Sequence, residues 1–120
     1  MADPAKNERI REMEMALGAA LAEVRPEAHL SWKSMFGGTG FYVDGVMFAA
    51  WFGAGLALKL SEAERADLLK VAGSLQSQSA QYIEVPPAFL DDPHLLEAWV
   101  ERSVAYVSAP KPSKPKKKSG

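Results

Sequence analysis

Between Met35 and Leu60 the chain reads MFGGTGFYVDGVMFAAWFGAGLALKL, a series of short β-forming runs cut apart by glycine. Phe41-Tyr42-Val43 and Val46-Met47-Phe48 flank Asp44-Gly45, and Asp-Gly between two such runs specifies a hairpin. A type I′ turn needs φ > 0 at both central residues, which glycine accepts freely and aspartate tolerates. Upstream, Gly37-Gly38-Thr39-Gly40 can reverse the chain out of Trp32–Phe36. Downstream, Gly53-Ala54-Gly55 separates Val46–Phe52 from Leu56–Leu60. Four strands with loops this short must be antiparallel neighbours.

Alternation assigns faces to these strands. Leu56, Leu58 and Leu60 point one way, with Ala57 and Lys59 the other. In Val46–Phe52 both faces are apolar. Strict alternation puts Val46, Phe48, Ala50 and Phe52 on one side and Met47, Ala49 and Trp51 on the other. Helices covering one side of a small sheet would leave the second set in water, and an apolar patch of that kind marks an interface. Met47, Ala49 and Trp51 are therefore the expected interface, covered by a second subunit or another protein.

The flanks read as helices. Ile10, Met13, Leu17, Ala20, Leu21 and Val24 recur at three- and four-residue spacings, predicting a helix from Glu8, capped by Asn7, to Val24. Residues 1–6 are expected to be loose. Ser61-Glu62-Ala63-Glu64 is a capping box for a helix to about Val71 or Ala72, with Gly73 beyond its end. Ser74–Ala80 reads as a polar loop, and Gln81–Val85 as a fifth strand ended by Pro86-Pro87. Asp92 and Pro93 open a last helix with Leu96, Trp99, Val100, Ser103, Tyr106 and Val107 inward. The order α-β-β-β-β-α-β-α predicts a two-layer α+β fold with a mainly antiparallel five-stranded sheet and helices packed on it.

At 120 residues the chain suits one domain, expected over residues 1–108, with residues 109–120 a disordered Lys/Pro-rich tail. Cysteine is absent, which excludes disulfides, thiolate metal sites and cysteine nucleophiles. A mean hydropathy of -0.14 and a charged N-terminus predict a cytoplasmic protein without a membrane span. Charge is uneven. Setting aside Lys111, Lys114, Lys116, Lys117 and Lys118 leaves 9 basic against 15 acidic residues, about −6 on the body.

No catalytic constellation emerges. Gly37–Gly40 lacks the third glycine of a dinucleotide fingerprint, since Val43 stands there, and a strand rather than a helix follows. It also lacks a P-loop lysine, so a turn or bulge is expected. His94 and Glu97 can share a helix face, but acids in a first turn are explained by the helix dipole alone. His29 stands alone, and Ser31, Ser34 and Ser103 have no evident base. Trp32, Trp51 and Trp99 with Phe36, Phe48 and Phe52 could line a pocket, though such periodicity suits a core better. The tail lysines could bind nucleic acid nonspecifically and weakly, but they lack arginines and aromatics for base readout.

Met35, Phe36, Gly37, Gly38, Gly40, Asp44, Gly45, Met47 and Phe48, then Leu58-Lys59, Asp92 and Trp99, follow a pattern that resembles the TfoX N-terminal domain family. The likeness runs from about Ile10 to Val107. Two-domain members named TfoX or Sxy regulate natural-competence genes alongside a cyclic-AMP-receptor-type activator, whereas this chain carries a lysine-rich tail after the first domain. The resemblance implies an antiparallel α+β fold, a cytoplasmic bacterial protein and self-association, with no cofactor and no catalytic residue. The expectation is a non-enzymatic, dimeric interaction module involved in transcription regulation. Its alternatives are a nucleic-acid accessory protein acting through the tail and, more remotely, a small-ligand binder or enzyme.

Overall fold

Turn chemistry between the strands builds the sheet. The computed structural model describes residues 4–35 and 37–109. Strands β1 (Leu30–Met35), β2 (Gly38–Val43), β3 (Val46–Trp51) and β4 (Leu56–Lys59) form an antiparallel meander. Asp44 and Gly45 take φ of 50° and 87°, as a turn with two left-handed residues requires. The Asp44 carboxylate also accepts from the His29 amide at 2.9 Å, and the Asp44 amide donates to the His29 carbonyl at 2.9 Å. His29 thus ties the hairpin to the start of β1.

Among the described residues the sheet has six strands, one more than the sequence predicts. β5 (Leu75–Gln76) pairs with β6 (Tyr82–Glu84), and β6 with β4, giving the order β1-β2-β3-β4-β6-β5. Residues 74–80 therefore hold an edge strand as well as a loop. Two residues are too short to show a period of two. The side chain of Gln76 closes this hairpin, donating to the carbonyls of Ser77 and Tyr82 at 3.2 and 3.1 Å.

Helices α1 (Pro4–Val24), α2 (Glu62–Leu69), α3 (Ala88–Asp91) and α4 (Pro93–Ser108) share one continuous core with the sheet. α1 starts at Pro4, upstream of the Asn7 cap that the sequence suggests, and proline suits a first turn whose amides need no partners. The capping box at Ser61 and Glu64 is present, and the Asp92 side chain accepts from the His94 amide as an N-cap. α2 stops at Leu69, earlier than predicted; Gly73, at φ 95°, lies beyond it and not directly after it. α3 is an added short turn after Pro86-Pro87. The predicted stripe of α1 is buried, with Leu17 and Ala20 at 0% exposure. In α4, Ser103 is buried and Val107 packs on the core as predicted, whereas Tyr106, predicted inward, is exposed and Val104 is buried in its stead.

Two surface and core contacts fix α4. Arg25, just past α1, donates from Nε and a terminal nitrogen to both carboxylate oxygens of Glu101 at 2.9 and 2.8 Å. Both groups are more than a third exposed, so the pair is worth less than about 1 kcal/mol. The hydrogen bond from Arg25 holds the Glu101 carboxyl below its ordinary value of 4.5. A depressed acid stabilises the fold above its unfolded value and stops doing so as pH falls through the folded one. Stability measured by urea unfolding will therefore decline as pH drops below 4.5, and Glu101→Gln will remove that part of the decline.

In the core, the Ser103 hydroxyl donates to the Phe48 carbonyl at 2.8 Å with both residues fully buried. Thr39 is its converse: its buried hydroxyl has no hydrogen-bond partner among the described residues. Ser103→Ala, which orphans a buried carbonyl, will cost about 1–3 kcal/mol in urea unfolding, while Thr39→Val will be neutral or stabilising. A Ser103→Ala protein as stable as wild type would remove the hydroxyl from this account.

Candidate functional site

β3 does not alternate throughout. Thr39, Gly40 and Phe41 stand opposite Trp51, Ala50 and Ala49, whereas Tyr42 and Val43 stand opposite Met47 and Val46. Phe48 is the extra residue of a bulge, so the strand changes face there. Phe48 and Ala49 both enter the core shared with the helices, and Trp51 packs against that core too. Met47 alone of the predicted interface trio lies on the other face, packed with Ala50, Phe52, Ala57 and Tyr82. The grouping of Met47, Ala49 and Trp51 on one exposed face is thus corrected. One inserted residue reverses every assignment beyond it.

The second face of the sheet is the surface of interest. Among the described residues no helix belongs to the cluster on this face. Its floor is small: Gly40, Ala50 and Ala57 are buried although they project away from the helices. Larger groups roof them. A Cβ added to Gly40 would come within 3.0 Å of the Met35 sulfur, 3.1 Å of the Met47 sulfur and 3.2 Å of the Tyr42 ring. The Phe52 and Tyr82 rings meet edge to face, 6.1 Å apart. Tyr42, Met47 and Phe52 are only half-buried, so an apolar layer of aromatic and methionine side chains reaches the outer surface.

Three charges fringe this layer: Lys33 on β1, Lys59 on β4 and Glu84 on β6. None of the ion pairs among the described residues involves them. The Lys33 ammonium lies 5.2 Å from the centre of the Tyr42 ring, a cation–π contact. Partial burial against the apolar face pushes the Glu84 carboxyl up from its ordinary value, and burial likewise raises the Tyr82 phenol. Alternation with Leu58 and Leu60 already placed Lys59 on this side, but Lys33 and Glu84 went unrecognised in the sequence because each follows a register that only the pairing reveals. For Glu84 the local signal was the alternation of Tyr82 and Glu84 against Ile83 and Val85.

The remaining sequence candidates are scattered. Gly37 turns the chain at φ 69°, Gly38 and Gly40 lie within β2, and Met35 pairs with Gly38; Phe36 lies outside the described residues. Trp32 is exposed, Trp51 and Trp99 pack on the helix-side core, and Phe52 sits on the opposite face, so these aromatics line no common pocket. Arg102 stacks 4.4 Å over Trp99. The His94 imidazole stands 3.2 Å from the Glu97 carboxylate at an exposed helix start. Among the described residues, no three histidines or acids are placed to hold a metal ion. Ser31 and Ser34 are exposed on β1, and Ser103 serves the bulge. No described helix is long and apolar enough to cross a membrane. Lys111, Lys114, Lys116, Lys117 and Lys118 lie outside the described residues.

The family model described as the TfoX N-terminal domain matches residues 21–107. No curated protein and no solved structure matches the chain.

Proposed function

This chain belongs to the TfoX N-terminal domain family, and from that premise we propose that it is a non-enzymatic module of regulatory type that works by association, first of all with a second copy of itself. The observation that carries this reading is the apolar outer layer of Tyr42, Met47 and Phe52 on a sheet face that no described helix covers. Isolated apolar side chains are ordinary on a surface, but a contiguous apolar layer on a sheet face marks a contact. Aromatic and methionine side chains are also the types enriched where proteins meet. A role in transcription regulation is the finer part of the proposal and draws on the family alone.

Light scattering tests it. The wild-type chain will run at twice the 13.0 kDa of one copy. Met47→Arg, which puts a charge in the middle of the layer without touching the helix-side core, will run at 13.0 kDa with unchanged circular dichroism. A folded Met47→Arg protein that keeps the wild-type mass would refute the reading.

A further inference from the structure

The open face contains a row of residues whose chemistry is antisymmetric about its centre. Cross-strand pairing sets Lys33 opposite Gly40, Gly40 opposite Ala50, Ala50 opposite Ala57, and Ala57 opposite Glu84. Directly paired residues project from the same face, so the five positions form one line across β1, β2, β3, β4 and β6. A cation stands on the edge strand β1 and a carboxylate on β6, with three minimal side chains between them, and Leu75 of β5 continues the line beyond Glu84. Neither charge belongs to an ion pair among the described residues. The carboxylate is partly desolvated, an arrangement that a cation supplied from outside would relieve.

Building on the reading that this face binds a second copy, the geometry points to a two-fold axis parallel to β3, in the gap between the two sheets above Ala50, which sets Lys33 of each protomer against Glu84 of the other. A two-fold contact presents the same patch to itself, so the patch must be self-complementary. An axis along the strands exchanges the two sides of the sheet. β1 lies two strands from β3 on one side and β6 two strands on the other, so each comes over the other's counterpart. The axis across the strands would instead set Lys33 over Lys33 and Glu84 over Glu84, which like charges oppose. Along the chosen axis Ala50 meets Ala50, and Met47 and Phe52, on either side of it, meet their own copies. Sheets packed face to face stand about 10 Å apart, a gap that opposed lysine and glutamate side chains can bridge. Methionine is flexible enough to fill the space left over the alanines.

Charge reversal tests the axis. Sedimentation equilibrium would compare the wild type, Lys33→Glu, Glu84→Lys and the double variant, each checked for folding by circular dichroism. Every contact occurs twice in the dimer, so each single reversal should weaken association about a hundredfold, about tenfold per pair. The double variant should return to within about tenfold of the wild type. A dimeric wild type whose double variant is weaker than either single one would overturn the axis and leave the open-face reading standing. A wild type that stays monomeric would overturn both. A second measurement covers failure of Glu84→Lys to fold. The chain has no cysteine, so Lys33→Cys and Glu84→Cys chains can be mixed and treated with a short bis-maleimide. Covalent dimers from the mixture, and not from either chain alone, are the expected result. Self-linked Lys33→Cys dimers would contradict it.

Discussion

Replacing Gly38 with alanine will cost about 3 kcal/mol or more, the upper part of the range for forcing atoms into a packed site. A Cβ built on Gly38 falls 2.1 Å from the Trp51 carbonyl oxygen and 3.1 Å from both the Trp51 carbonyl carbon and the Phe52 Cα. All three are backbone atoms, so no side chain can swing aside. Relief requires moving the end of β3 away from β2, and that end is held by the pairing of Thr39 with Trp51. A domain of this size has only about 5–15 kcal/mol in total, so the melting temperature should drop by roughly 10 °C or more. Gly37→Ala is the informative comparison. Gly37 has φ 69° but nothing within 4 Å of an added Cβ, so only the left-handed backbone is penalised, by about 1–2 kcal/mol. Thermal unfolding of the two variants side by side decides the matter. Equal losses would mean that the strand end gives way easily and the close approach does not matter.

Phe48→Ala will destabilise by about 3–5 kcal/mol, the usual cost of truncating a buried phenylalanine. Phe48 is fully buried at the point where β3 bulges, and its carbonyl is held by Ser103 of α4. Its ring therefore fills the core at the bulge, where Ser103 ties the strand to α4. The neighbouring aromatic gives the contrast. Phe52, four residues on, is half-buried on the opposite face. Phe52→Ala should lower the stability of a single chain far less and weaken association instead. Urea unfolding at high dilution, beside the mass at high concentration, separates the two effects. A Phe52→Ala loss as large as that of Phe48→Ala in the dilute chain would mean that the open face is part of the core.

Much of this architecture is decided locally and was legible for that reason. The Asp44-Gly45 turn, the Ser61–Glu64 capping box and the Asp92–Pro93 helix start each depend on residues within a few positions. The apolar stripe of α1 follows from the helical period alone. Where the reading failed, distant groups were responsible. The bulge at Phe48 is secured by Ser103, 55 residues later in the chain, and no local pattern in VMFAAW distinguishes a bulged strand from a regular one. That single insertion sent Ala49 and Trp51 inward and left Met47 on the open face. β5 was hidden for a related reason: Leu75 is 62% exposed, and its pairing with Glu84 comes from the return of the chain, not from its own composition. An apolar surface on β3 was legible; its membership required the register.

Methionine oxidation by dilute peroxide, followed by mass spectrometry across a dilution series, tests most directly whether the open face is the contact between copies. Met47 is half-buried in the layer, whereas Met15 on α1 is 68% exposed and remote from that face, an internal standard within the same chain. Met47 should oxidise more slowly relative to Met15 as the protein is concentrated, and the ratio should recover on dilution. A Met47-to-Met15 ratio that stays constant from the most dilute to the most concentrated sample would contradict it.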